Sequence, residues 1–193
     1  MSPVVWAVAA VVVLVVVALL ASYNRFVRDA QLIDNSWSNV DTELRRRYDL
    51  VPNLVETVKG YAAHERTTFE AVTQARTQAM RSEGDAASQS GDENVFVDAL
   101  RSLLAVTEAY PDLLASRHFA ELQDELVTTE NRIQAARRIF NGNVRDYNTR
   151  VQSVPSNLVA RLCGFRERTY FEVEPAVRDA GAPSVRMGRP AGA

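Results

Sequence analysis

Histidine, the side chain that most readily ligates a metal or moves a proton near neutral pH, occurs at only two positions in this chain, His64 and His118. A di-metal centre in a helical bundle wants two Glu-x-x-His motifs on facing helices. Tyr61 and Ala115 occupy the places where those glutamates would have to stand, so neither motif is completed. His64-Glu65 opens like a zinc-protease helix, but Thr68 sits where the second histidine is required. Neither a Gly-x-x-x-x-Gly-Lys phosphate loop, a Gly-x-Gly-x-x-Gly turn nor a Gly-x-Ser-x-Gly elbow is present. No catalytic residue, metal or cofactor is therefore expected. The formal net charge of −2 leaves no electrostatic footprint for nucleic acid. The single cysteine, Cys163, cannot form an internal disulfide, agrees with a reducing compartment, and is expected to be a buried thiol.

Two polar features remain. Arg45, Arg46 and Arg47 stand in a row and suit either pairing within a bundle or a partner surface. Glu65 falls on an apolar helix seam beside His64, where an unpaired carboxylate would be costly. It needs partial exposure, an arginine partner or a polar layer.

The elements that would position these groups begin with the apolar run Val4–Ala21, VVWAVAAVVVLVVVALLA, which includes Trp6, Leu14 and Leu20. At 1.5 Å per residue it makes about 27 Å of helix, near the thickness of a bilayer's hydrocarbon core. Trp6 and Tyr23 bracket it at interfacial depth. A cleaved signal peptide would want a basic n-region and a small-x-small site, and Leu19 with Ala21 makes a poor one. An uncleaved anchor over residues 1–24 is the expectation. Arg25 and Arg28 flank the span on its C-terminal side, which predicts an outer N-terminus and a cytoplasmic remainder. If the first helix runs straight, Arg45–Arg47 stand about 33 Å beyond the bilayer, several Debye lengths away.

Residues 25–173 read as four helical segments. Phe26, Ala30, Ile33, Trp37, Val40 and Leu44 recur at the alternating 4,3 spacing of a coiled-coil seam, and no glycine or proline separates this segment from the anchor. Pro52 predicts a break after Leu50 and a second helix carrying Leu54, Val58, Tyr61, Glu65, Phe69 and Val72. Ser82–Asn94 reads as a polar connection. A short third helix follows with Phe96, Leu100, Leu103 and Val106 inward, ending before Pro111. The fourth runs from Phe119 to Val154, with a stutter after Phe140. Such stripes are buried most economically in an all-α, antiparallel up-and-down four-helix bundle. Only Arg168–Val173 hints at a strand, and residues 174–193 have the composition of a disordered tail.

Taken together, YNRFV (Tyr23–Val27), RRRYDLVPNLVETVKGYAAHE (Arg45–Glu65), LLAVTEAYPDL (Leu103–Leu113), LQDELVTTENRIQAARRIFN (Leu122–Asn141) and YNTRVQSVPSNLVARLCGF (Tyr147–Phe165) closely resemble the LemA family. The resemblance covers about residues 20 to 172 in order. It implies one N-terminal membrane span and a cytoplasmic four-helix bundle, with no established activity or cofactor. It also implies company: a membrane zinc protease or TPM-domain proteins, and in one branch the magnetosome membrane. Cys163 departs from the family, which often carries a large apolar residue there.

Three functional readings follow. The first is a non-enzymatic, membrane-anchored interaction or scaffold module. The second is a small-ligand receptor or enzyme with an interhelical pocket lined by His64, Glu65 and arginines, and the third a homo-oligomer that shapes membrane. For residues 156–173, with Leu158, Leu162 and Phe165 beside Arg161, Arg166 and Arg168, two roles stay open: an interfacial segment on lipid, or a cap on the bundle's end.

Overall fold

The computed structural model describes residues 2–82 and 86–176. It is all-α, an antiparallel up-and-down bundle led by one long apolar helix, with no strand among the described residues. The helices are α1 (Pro3–Lys59), α2 (Arg66–Met80), α3 (Ala86–Thr107), α4 (Pro111–Leu114), α5 (Arg117–Gln152) and α6 (Ser156–Cys163).

α1 is one helix of 57 residues, about 86 Å long at 1.5 Å per residue. Its most apolar window has no residue buried against the protein. From Phe26 onward the same rod becomes the spine of the bundle, burying Phe26, Ile33, Val40 and Leu44, with Ala30 and Trp37 partly covered.

The break expected at Pro52 does not occur. Proline removes one helical hydrogen bond, here the one that the carbonyl of Tyr48 would accept. Arg76 Nε, on α2, donates to that oxygen at 2.7 Å instead. The helix therefore passes through Pro52 with its freed acceptor satisfied, and Leu54 and Val58 belong to α1. Consequently α2 starts only at Arg66, and Tyr61 is exposed in the turn before it. Arg76→Ala is expected to cost about 1–3 kcal/mol, the penalty of a buried acceptor left without a partner. A lowered urea midpoint of the full chain in detergent is the readout; an unchanged midpoint would show that Arg76 is dispensable to the helix.

The second correction concerns Ser82–Asn94. Residues 83–85 lie outside the described residues, but from Ala86 onward this polar stretch is the first half of α3. Its Gln89, Ser90 and Glu93 are buried. They look unsuited to packing because their partners lie far away in the sequence. α3 ends at Thr107, and Pro111 occupies the first turn of α4. Ser116 caps α5, its Oγ accepting from the Phe119 amide.

Across α1 and α5 the pairing is antiparallel and in constant register: Arg47 meets Glu130, Trp37 meets Phe140 and Asp29 meets Arg150. Gln152, the end of α5, thus stands about level with Phe26. α3 begins beside Trp37, since Ala86 lines the same hollow as Ile33, Trp37 and Phe140. Nearer the apolar end of α1 the α1–α5 pair is covered by α6 and by the segment Arg166–Ala176.

That last segment is not a strand, although its backbone is bonded like one. Asn148 accepts from the Arg168 amide and donates to the Arg168 carbonyl, both at 2.8 Å. Asn141 makes the same pair of bonds with Phe171, both at 2.9 Å. From Asn141 to Asn148 along a helix and from Arg168 to Phe171 along an extended chain the distances are both about 10 Å. On the other side, Asn94 of α3 donates to Glu172 and accepts from Glu174, and Ser90 accepts from the Glu172 amide. Side-chain amides thus replace the neighbouring strand. Phe171, Val173 and Ala176 are buried beneath, and Arg101 holds the carbonyl of Pro175 and the carboxylate of Glu174 past the edge expected at Val173. Residues 177–193 lie outside the described residues. One smaller expectation also fails, since Cys163 is exposed; Val154, just past the end of α5, is exposed as well.

Candidate functional site

Titratable groups converge inside the bundle, not in a surface cleft. Arg47 continues the α1 seam beyond Leu44 and is completely buried. Its guanidinium donates to Glu93 of α3 and, at 3.0 Å, to Glu130 of α5. Tyr48 donates its hydroxyl to the other Glu93 oxygen. Gln134 donates to Glu130 at 2.8 Å. Gln89 donates toward Glu93 and toward the Ala79 carbonyl of α2, each at 3.3 Å. The Phe96 ring lies 5.2 Å from the Arg47 guanidinium carbon and closes the layer on that side. One polar layer therefore touches all four long helices.

Two carboxylates around one guanidinium leave an excess negative charge away from water. Burial pushes the Glu93 carboxyl up to about 7, Arg47 pulling it back only in part and Glu130 pushing it further. A proton on Glu93 leaves a one-to-one ion pair between Arg47 and Glu130. A free glutamate titrates at 4.5, so between there and about 7 the folded chain holds a proton that the unfolded chain has released. The sign follows: this contribution weakens as pH rises through that window, by up to about 1.4 kcal/mol per unit, and is level above it. Glu93→Gln is expected to remove the slope, read as denaturation midpoints between about pH 5 and 8. A slope equal to that of the unaltered protein would assign the proton elsewhere.

Arg47 and Glu93 are fully buried, so the layer is closed to solvent at these two side chains. Among the sequence candidates, only Arg47 belongs to it. Arg45 is exposed and bonds Asp41 at 2.8 Å, and Arg46 reaches Glu43 at 3.8 Å. His64 is exposed in the turn between α1 and α2, and Glu65 is half-buried just before α2, its carbonyl accepting from Thr68 and Phe69. A surface hollow of about 470 Å³ nearby is lined by Lys59, Arg66, Phe69 and Glu70, without His64 or Glu65. Among the described residues no group of three or more His, Cys, Asp or Glu is placed to hold a metal. A groove of about 710 Å³ follows the extended segment, with Arg137, Arg138, Asn141 and Arg145 on one side and Tyr170 to Glu174 on the other.

At the other end, Val4, Trp6, Leu14 and Leu20 are exposed along the projecting part of α1, as is Ala21. Arg25 and Arg28 are both exposed just beyond.

Fold and site together define a class: an all-α bundle with a charged core layer, carried on a helix long and apolar enough to cross a membrane. The sequence model of the LemA family matches residues 36–186, most of the chain, and the chain belongs to that family. Magnetosome protein MamQ 2 of Paramagnetospirillum magneticum is 28% identical over 190 residues, covering 86% of this chain and 70% of that protein. Magnetosome protein MamQ of Magnetospirillum gryphiswaldense is 27% identical, covering 83% and 68%. Protein LemA of Metamycoplasma hominis is 27% identical over 156 residues, covering 80% and 71%. None of these names states a chemical activity.

Proposed function

We propose that this protein is a membrane-tethered, non-enzymatic interaction module, with residues 1–24 as its anchor and its bundle binding protein partners at the cytoplasmic face. The observation that carries the reading is α1 itself. One uninterrupted helix is wholly exposed and apolar in its first part and supplies the buried spine of the bundle in the rest. Exposing such a span to water is unfavourable, whereas lipid satisfies it and its backbone is already internally bonded. The arginines Arg25 and Arg28 at the bundle's side favour the cytoplasm. The sealed polar layer supports a scaffold over a catalyst, and the magnetosome names of the MamQ relatives suit a membrane setting. A membrane protease or a TPM-domain protein is the partner class that the family resemblance favours.

A reporter active only outside the cytoplasm, fused after Ala193, is expected to stay silent in intact cells. Activity there overturns the orientation. For the interaction itself, a photo-crosslinking residue replacing His64 or Arg45, both exposed and away from the core layer, is expected to give discrete protein adducts in intact cells. Adducts absent from both positions, together with a small molecule co-purifying with the bundle, would favour a receptor instead.

A further inference from the structure

α6 lies at the level where the apolar span ends. Its last turn leads into Phe165, whose ring stacks on Phe26 at 4.7 Å and meets Tyr23 at 5.6 Å. Ala21 closes the apolar run, and from there to Phe26 the helix rises about 7 Å, the depth of one headgroup layer beside a roughly 30 Å hydrocarbon core. α6 turns Val159 and Ala160 into the bundle. Away from the bundle it presents Leu158 and Leu162, one turn apart, 63% and 82% exposed, with Val154 at 80% just before. Such exposure is costly in water for three branched apolar side chains grouped at one end of a protein. Around them Arg161 and Arg166 are exposed, and with Arg25 and Arg28 across the junction they make no ion pair among the described residues.

We propose that α6 is a second membrane contact, an interfacial foot that sets Val154, Leu158 and Leu162 among acyl chains and Arg161 and Arg166 against anionic headgroups of the bilayer that α1 spans. The inference rests on the membrane-tethered reading. What selects lipid over another occupant is position: the face is continuous with the span through Tyr23 and Phe165, and its charge complements an anionic leaflet. The foot fixes the bundle's rotation about α1, which a single helix alone leaves free.

Cys163 makes the test direct, because it is the chain's single cysteine, is exposed, and adjoins Leu162. The full chain is spin-labelled there and placed in vesicles of phosphatidylglycerol and phosphatidylcholine, then of phosphatidylcholine alone. A second sample, Cys163→Ser with Val12→Cys, carries the label within the span. The expected result for Cys163 is accessibility to oxygen dissolved in lipid and loss of accessibility to an aqueous nickel complex, more so with the anionic lipid. Leu158→Glu with Leu162→Glu, changes at exposed positions, is expected to return the Cys163 label to water, and Arg161→Glu with Arg166→Glu to erase the preference for anionic lipid. A label at residue 12 buried in lipid while that at 163 stays in water overturns the foot and leaves the anchor standing. Water at both positions overturns both. Dipolar broadening at 163 without lipid accessibility assigns the face to a second copy of the chain instead.

Discussion

Arg47→Ala is expected to destabilise the bundle by about 3–5 kcal/mol, the cost of removing one partner from a buried ion pair. Truncation strands Glu93 and Glu130, both buried, without their shared cation. It also opens a void beside Phe96. The comparison that isolates charge from volume is Arg47→Met combined with Glu93→Gln and Glu130→Gln. That variant keeps the space filled and removes the stranded charges, so most of the lost stability is expected to return. Both are measured as urea midpoints of the full chain in detergent. If Arg47→Ala unfolds at the same midpoint as the unaltered protein, the layer has no energetic role.

Phe171→Ala is expected to cost a similar amount, about 3–5 kcal/mol, because the ring is fully buried. It stands edge-on to Trp37 at 5.2 Å, and Trp37 in turn packs on Phe140 at the same distance. Losing it unseats the extended segment, so early proteolytic cleavage between Arg166 and Glu174 is the accompanying sign. Trp37→Ala removes a larger side chain but a less covered one, and its effect is expected to be smaller than the buried ring's. A Phe171→Ala protein as stable and as protease-resistant as the original would mean that the segment is held by its asparagine bonds alone.

The helical class, the long apolar lead and the α1–α5 seam were legible in the sequence because apolar side chains carried the period. Where polar residues carried it, the reading failed. Leu44, Arg47, Val51, Leu54 and Val58 keep the 4,3 spacing straight through Pro52, and that continuity was the signal that the helix goes on. What no local rule could show was Arg76, distant in sequence, taking the carbonyl that Pro52 releases. Likewise Gln89, Glu93, Phe96, Leu100 and Leu103 hold one unbroken spacing, so the buried carboxylate of α3 was visible as a polar occupant of a seam position. Composition hid it, since glycine, serine and acid together read as a connection. The asparagine bonds to Arg168 and Phe171 had no local signature at all, because a helix and an extended chain had to match step for step across the fold.

An uninterrupted α1 makes the protein a pointer. With no glycine hinge between its apolar part and the bundle, a rod set in a bilayer as proposed would carry the bundle in its own direction. Helices in membranes tilt to match the local hydrocarbon thickness. A tilt of about 10° about the span's middle swings the far end of an approximately 86 Å rod sideways by roughly 12 Å. The turn at His64 would then sweep laterally over the membrane surface as the bilayer thins or thickens, so that the shape of the lipid phase is written into the position of residues that never touch it.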